Sequence, residues 1–241
     1  MVTAAFFNFH PAMIAAAVPA CWGTIDPDQL TVLRAQAASV ALSELCPPEA
    51  LSGLRRALPL LRQAVDHCAG EGRVLTGANR ALWPAVAAAL GQRGVSGDQL
   101  EVAEAWQACT TLREHRGDGH VAALVAHGLS GLEAHLLASG TLGVPAEVLR
   151  DNRGWDGAAW TLGAERLAGR GLLDADGAAT EHGRARHAEV EALTDRLAEA
   201  PYAALTDEET GTLRGAAAGC ARAIQSSGLF PFPNPMGLPR L

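Results

Sequence analysis

The chain has 241 residues, of which 49% are hydrophobic, and its 19 basic side chains, all arginine, face 26 carboxylates for a formal charge of -7. This length and hydrophobic content are typical of a soluble globule with one large domain or two small ones. The negative charge disfavours a general nucleic-acid binder, which needs a basic face against phosphate.

The cysteines and the apolar segments bear on the compartment. The five cysteines are far apart in sequence and include no C-x-x-C pair, which predicts reduced cytoplasmic thiols. The apolar stretch 12–20 resembles the core of a signal peptide, but no basic segment precedes it and Pro11 interrupts it. No apolar run reaches the ~18 residues that a transmembrane helix needs. We therefore expect a cytoplasmic protein with no membrane contact.

The first half of the chain is predicted to be helical. An aromatic segment at 6–10 comes first, and proline and capping residues then mark where helices begin. Apolar side chains recur at steps of three and four residues within these segments. Pro59 interrupts one of them and predicts a kink. The predicted helices cover residues 11–18, 24–45, 48–65, 78–92 and 98–111.

Charge is concentrated in one stretch. Residues 112–120 carry six ionisable side chains, although only 19% of the chain is charged. They lie between a predicted helix and the apolar run 121–125, so the sequence places charge in or against the core. Because burying an unpaired charge costs much free energy, such a cluster is either an internally paired network or a functional site.

Helical spacing would arrange these side chains on distinct faces, because residues three and four apart are neighbours on a helix. Arg116 and His120 would share one face, and Glu114 and Asp118 a second. His115 would come within hydrogen-bonding reach of Asp118.

Two glycines, Gly117 and Gly119, interrupt the charged stretch. In the interior of a helix they would together cost about 2 kcal/mol relative to alanine. Either another backbone approaches closely there, or the helix breaks and Asp118 caps a new helix from Gly119. Both alternatives place His, Asp and Arg side chains around a notch that a ligand could enter.

This composition favours acid–base chemistry. A histidine paired with a carboxylate has a fixed tautomer and a pKa near neutrality, as proton transfer at pH 7 requires. The predicted catalytic residues are His115, Asp118, His120 and Glu114. Arginines beside them could hold an anionic or enolate-like oxygen, and these are Arg113 and Arg116. The pocket walls are predicted to be Phe7, Asn8, Phe9, His10, Trp22 and Trp106.

Two other interpretations of the charged stretch stay open. Its arginines and carboxylates could form a paired network that joins the two halves of the chain, with the histidines as bystanders. A metal site is disfavoured, since His115 and His120 lack the i, i+4 spacing of zinc helices and no H-E-x-x-H occurs. No G-x-S-x-G, P-loop or G-x-G-x-x-G motif is present, so we expect neither metal nor cofactor.

The second half of the chain predicts a winged helix. Two short strands are predicted within 171–180, around an Asp-Gly turn. The order helix, short helix, helix, two-stranded wing and long helix is that of a winged helix-turn-helix. The helices predicted around the wing, and after it, cover residues 130–138, 145–152, 156–169, 181–199 and 207–225.

Two resemblances support this order. Residues 164–174 and 180–184 resemble the recognition-helix end, wing and following helix of MarR-type regulators, over about residues 128–200. The motif E-H-R-G-D-G-H at 114–120, with F-N-F-H-P at 7–11, resembles a family of actinobacterial helix-turn-helix proteins over most of the chain. The resemblance implies a helix-turn-helix fold and leaves the activity open.

The predicted recognition helix is poorly suited to DNA. Base and phosphate contacts need basic or amide side chains, yet this helix offers only Arg166, with Arg170 just beyond it. The wing tip 174–177 is acidic and would repel phosphate. We expect this winged helix to pack without binding DNA, since a fold does not carry a function.

The sequence thus predicts a mainly α fold in two domains. Residues 1–127 would form a helical domain that carries the charged stretch. Residues 128–241 would form a winged helix-turn-helix with a small two-stranded wing and C-terminal helices.

The first functional interpretation is a cofactor-independent enzyme of acid–base type, such as a dehydratase, cyclase or other lyase, in natural-product biosynthesis. Its ligand would be an apolar small molecule with an anionic or enol oxygen, and the chain could form a homodimer. The alternative is a MarR-like regulator that senses a small molecule and binds DNA. A third interpretation is a non-catalytic scaffold.

Overall fold

The computed structural model describes residues 23–68 and 72–241. Within these ranges the chain is mainly helical, as predicted. The helices are α1 Pro27–Leu45, α2 Pro48–Arg56, α3 Leu58–Asp66, α4 Val74–Gln92, α5 Gly97–Ala126, α6 Gly131–Leu142, α7 Ala146–Arg153, α8 Gly157–Gly169, α9 Glu181–Ala198 and α10 Asp207–Ser226. The helix predicted at 11–18 lies outside the described residues.

The chain divides into two compact units. Within the described ranges, the first unit contains residues 23–68, 72–115, 198–230 and 240–241, and the second contains residues 116–197 and 231–239. The change from one unit to the other therefore falls inside α5, between His115 and Arg116. The domain boundary expected at residue 127 stays a prediction.

Proline and side-chain caps explain where the first helices begin. The carboxylate of Asp26 accepts hydrogen bonds from the backbone N–H groups of Asp28 (2.9 Å) and Gln29 (3.3 Å), and proline takes the first helical position of α1. The kink expected at Pro59 is a full break. α2 ends before Ala57, and Pro59 lies in the first turn of α3, where its missing N–H costs nothing.

A capping box fixes the start of α10. The hydroxyl of Thr206 accepts from the backbone N–H of Glu209 (3.2 Å), and the Glu209 carboxylate accepts from the backbone N–H of Thr206 (2.8 Å). We expect Thr206→Ala to lower the free energy of unfolding by about 1 kcal/mol, measured by chemical denaturation. Thr212→Ala is the control, since this exposed hydroxyl bonds only the Glu208 carbonyl (3.0 Å) within the helix. Equal losses in both variants would contradict the capping role.

Two clusters of buried apolar side chains hold the first unit together. Leu90 is fully buried where α1, α4 and α5 meet, next to Val86 and Ala103. A second cluster around Leu58 and Leu61 is completed by apolar side chains of α2, α5 and α10. Close packing of this kind fixes α5, the helix that carries the charged stretch.

The second unit contains a helix-turn-helix arrangement. α6, α7 and α8 follow in the predicted order, and the turn between α7 and α8 uses Gly154 at φ 72°. Asp156 then caps α8, accepting from the backbone N–H of Ala159 at 2.7 Å. Leu137 and Leu167 are fully buried between these helices.

The prediction of a two-stranded wing was wrong. Within residues 171–180 a single antiparallel bridge joins Leu173 to Ala179. The carboxylate of Asp174 accepts from the backbone N–H groups of Asp176 (3.0 Å) and Ala178 (2.9 Å), so a side chain takes donors that a longer ladder would need. The N–H of Ala179 is directed instead to the carbonyl of Gly140 in α6, at 3.0 Å.

Among the described residues no single helix has the length and apolar character to cross a membrane. α5 and α6 reach that length and apolar character only together, as a pair bent by 95°.

Candidate functional site

The charged stretch is helical throughout. α5 runs without interruption from Gly97 to Ala126, so no new helix begins after Asp118. Of the two alternatives that the glycines left open, the continuous helix is the observed one. Gly117 and Gly119 are both buried within this helix.

In the first unit, the beginning of the charged stretch contains two buried ionisable residues. Glu114 and His115 are both 0% exposed. The Oε1 atom of Glu114 accepts a hydrogen bond from Arg113, whereas its Oε2 atom has no hydrogen-bond donor among the described residues. A guanidinium N–H of Arg73 donates to the backbone carbonyl of His115 at 2.7 Å. The burial of a carboxylate here is costly and marks this turn of α5 as unusual.

A third arginine joins this group from α1. The guanidinium of Arg34 lies over the indole ring of Trp106, 5.0 Å from its centroid. Loss of water around Arg34 lowers its pKa, the charge of Arg113 lowers it further, and Glu114 opposes both. Arg34 was not predicted from the sequence, although it is the only basic residue in α1.

In the second unit, α5 faces α9. The guanidinium of Arg116 binds two carboxylates of α9, Glu191 at 2.8 Å and Asp195 at 3.1 Å. Because these side chains are partly exposed, each of the two ion pairs contributes little to stability, about 1 kcal/mol at most. The main effect of these ion pairs is to occupy Arg116, which was predicted to bind an oxyanion.

One turn further along α5, His120 also contacts α9. Its Nδ1 atom lies 3.0 Å from the hydroxyl oxygen of Thr194 and 3.8 Å from the nearer carboxylate oxygen of Glu191. Thr194 is fully buried, and its hydroxyl donates to the backbone carbonyl of Val190 at 2.8 Å. The hydroxyl is within hydrogen-bonding distance of the ring, whereas the carboxylate is not.

The surroundings of His120 favour its neutral form. Burial lowers its pKa below the usual 6.5, and the negative charge of Glu191 opposes this shift. The positive charge of Arg116 and the neighbouring ring of His187 lower the pKa further. At pH 7 the ring is therefore predominantly neutral and can accept a proton.

The predicted site residues belong to both units or lie outside the described residues. Glu114 and His115 belong to the first unit, and Asp118 and His120 belong to the second. Trp106 lies beneath Arg34 in the first unit. The predicted wall residues Phe7, Asn8, Phe9, His10 and Trp22 lie outside the described residues. No group of three His, Cys, Asp or Glu side chains within 23–68 and 72–241 is arranged to hold a metal ion.

The helix-turn-helix uses its arginines internally. Arg166 and Arg170 approach the carboxylate of Glu133 on α6 to 3.6 and 3.5 Å, and Arg170 also donates to the carbonyl of Gly128 at 3.1 Å. Arg153 is buried and donates to the carbonyl of Pro235 at 3.2 Å. Residues 116–197 hold eight arginines against twelve carboxylates, so this unit carries a formal charge of -4.

The exposed face of α8 offers few side chains suited to reading bases. It presents Thr161, Glu165, Arg166 and Leu162, the last with 53% of its surface exposed. A helix that reads DNA places arginine, lysine, asparagine or glutamine at such positions. The helix-turn-helix geometry is thus present with one exposed arginine on α8, Arg166, which approaches the carboxylate of Glu133 to 3.6 Å.

The order of α6, α7 and α8, with the short turn at Gly154, defines a helix-turn-helix protein. The chain belongs to a helix-turn-helix family, whose sequence profile matches residues 1–231. Searches among curated proteins and among solved structures found no significant match.

Proposed function

We propose that the protein is a small-molecule enzyme that carries out acid–base chemistry without a cofactor, in a dehydratase-, cyclase- or other lyase-like step. Natural-product biosynthesis in the cytoplasm is the setting we propose for it. The observation that carries this proposal is His120, a histidine kept neutral by burial and held by a hydrogen bond from α5 to α9. A neutral imidazole in a fixed orientation is suited to removing a proton at pH 7.

The surroundings of His120 favour one kind of substrate among those expected. Arg116 already binds Glu191 and Asp195, so a fully charged anion would compete with two carboxylates for it. An apolar molecule with an enol oxygen or an activated C–H bond avoids that competition. The other predicted catalytic residues, Glu114, His115 and Asp118, and the oxyanion role of Arg113, stay predictions.

A generic proton-transfer substrate tests the base directly. We expect the protein to accelerate the elimination of 5-nitrobenzisoxazole, in which a base removes a C–H proton and a coloured phenolate forms. His120→Gln should lower the second-order rate about 100-fold, because general-base catalysis is lost. His182→Gln is the matched control, since His182 is exposed on α9, and it should keep the wild-type rate. Equal rates for wild type and His120→Gln would overturn the proposal.

The pH dependence of that rate has a definite sign. The base acts in its neutral form, and its pKa is lowered from 6.5. The rate should therefore fall as the pH is lowered, with a midpoint below pH 6.5. A profile with its midpoint above pH 7 would contradict a neutral His120.

The second candidate is a MarR-like regulator that responds to a small molecule and acts as a homodimer. Membership of the helix-turn-helix family favours this candidate. Against it stand the formal charge of -4 over residues 116–197 and the internal contacts of Arg153, Arg166 and Arg170.

A DNA-binding assay separates the two candidates. We expect no binding of a fluorescent mixed-sequence duplex up to about 10 μM protein at 50 mM salt, whereas non-specific DNA binders have dissociation constants of roughly 1–100 μM even at physiological salt. Fluorescence anisotropy measures this, and a basic DNA-binding protein serves as the positive control. Binding that weakens steeply with added salt would favour the regulator.

A further inference from the structure

We infer that Thr194 is a positioning residue, which holds His120 in the tautomer that carries its proton on Nδ1 and leaves the Nε2 lone pair to accept a proton from substrate. This inference rests on the proposed function, because it concerns the same histidine. It adds a residue that lies 74 positions away in sequence and on another helix.

The hydrogen atoms at this contact can be counted. A threonine hydroxyl has one hydrogen to donate, and the Thr194 hydroxyl donates it to the carbonyl of Val190, one turn earlier in α9, at 2.8 Å. Toward the His120 ring, 3.0 Å away, the same oxygen can then only accept. The ring must therefore donate from Nδ1, and in a neutral imidazole Nε2 is then unprotonated.

The burial of Thr194 makes this arrangement rigid. Thr194 is 0% exposed, so bulk water does not compete with the Val190 carbonyl for the hydrogen of its hydroxyl. A threonine in a helix commonly bonds the carbonyl four residues earlier, which restricts its rotamer. The oxygen therefore presents its lone pairs to α5 in one direction.

The choice of a hydroxyl has a chemical consequence. A carboxylate at hydrogen-bonding distance would stabilise the imidazolium and raise the pKa of His120, whereas a hydroxyl orients the ring without adding charge. Glu191, at 3.8 Å, is too distant for that bond. Because the Thr194 hydroxyl adds no charge, His120 stays a weaker base, which suits substrates with acidic O–H or activated C–H protons.

Nitrogen-15 NMR of the full-length protein tests the assignment without any substrate. In wild type at pH 7.5 we expect the His120 ring, identified by its absence in His120→Gln, to show a protonated Nδ1 and an unprotonated Nε2. Thr194→Val removes the acceptor and should move the ring to the Nε2–H form. Thr194→Ser retains the hydroxyl and should restore the Nδ1–H form.

The outcomes are distinct. An Nε2–H ring in wild type, or an unchanged ring in a folded Thr194→Val variant, would overturn the inference. If Thr194→Val does not fold, the wild-type spectrum and Thr194→Ser still decide. Thr161→Val, at an exposed position on α8, controls for general effects of the substitution.

Turnover of 5-nitrobenzisoxazole then separates this inference from the function on which it rests. Thr194→Val should lower kcat about tenfold with little change in KM, and Thr194→Ser should recover most of the loss. An Nδ1–H ring in a protein with no His120-dependent turnover would leave the positioning role intact and refute the enzyme. His120-dependent turnover with an Nε2–H ring would do the reverse.

Discussion

Replacing Gly183 with alanine should lower the free energy of unfolding by about 3 kcal/mol or more, the upper range for overpacked sites. Gly183 lies in the first turn of α9, where its N–H donates to the hydroxyl of Thr180 at 3.0 Å. A Cβ atom built there would overlap the carbonyl oxygen of Leu172 and lie 3.0 Å from its carbonyl carbon. Backbone atoms cannot rotate away as a side chain can, so α9 itself would have to move.

Chemical denaturation measures this loss, with Gly169→Ala as the matched control in the same unit. Gly169 ends α8, and a Cβ there would meet nothing within 4 Å. Since alanine is the better helix former, the control should be neutral or stabilised by up to about 1 kcal/mol. A Gly183→Ala variant within 0.5 kcal/mol of wild type would show that α9 shifts freely.

This glycine also bears on the candidate site. α9 supplies Thr194 and Glu191 to His120, and Gly183 lets the start of that helix lie directly against the backbone of Leu172. A shift of α9 in Gly183→Ala should therefore alter the NMR signals of His120 even at a temperature where the variant is folded.

Local signals predicted the helices well. Helices were predicted to begin at residues 24, 156 and 181, and the structure begins α1 at Pro27, α8 at Gly157 and α9 at Glu181. Capping depends on a few consecutive residues and their backbone donors, so a sequence contains the information.

Glycines were harder to interpret, because a glycine can end a helix or admit a neighbour. Gly140 was predicted to end its helix, but α6 continues to Leu142 and ends at Gly143, whose φ is 68°. A Cβ at Gly140 would lie 2.8 Å from the carbonyl oxygen of Gly177 and 2.9 Å from the nitrogen of Ala179. The glycine is needed for that close approach, which involves residues nearly 40 positions away and leaves no local trace.

In the candidate site, too, local features could be predicted from the sequence and contacts between helices could not. The density of charge in α5 was evident from sequence, and so was the burial conflict that Glu114 and His115 confirm. Spacing within one helix suggested a pairing of His115 with Asp118. The partner of His120 is instead Thr194, on another helix, and nothing about a threonine in a polar helix sets it apart before the chain is folded.

The second large effect concerns Glu133, which ties the helix-turn-helix together. Its carboxylate accepts from the backbone N–H of Ser130 (2.9 Å) and from the Ser130 hydroxyl (2.8 Å), and it lies near Arg166 and Arg170. Glu133→Gln should lower the free energy of unfolding by about 2 kcal/mol at pH 7, since hydrogen bonds to a charged acceptor are the stronger ones.

The loss should depend on pH with a known sign. Burial alone would raise the pKa of Glu133, but the hydrogen bonds from Ser130 and the charges of Arg170 and Arg166 together lower it below 4.5. A carboxyl with a lowered pKa in the folded state stabilises the protein above its unfolded pKa, and this contribution is lost as the pH falls through the folded pKa. The difference between wild type and Glu133→Gln should thus be constant from pH 7 to about 5 and shrink at lower pH.

Denaturation curves at several pH values measure that difference, and Glu209→Gln supplies the control. Glu209 makes the same capping box at the start of α10, but it is only partly buried and forms no ion pair with an arginine of the described residues. Its replacement should cost less at every pH. A Glu133→Gln variant as stable as wild type at pH 7, or a loss that persists unchanged below pH 4, would show that the two arginines contribute nothing to α6 and α8. In that case Arg166 and Arg170 would be free to contact DNA phosphates, and the regulator would be favoured over the enzyme.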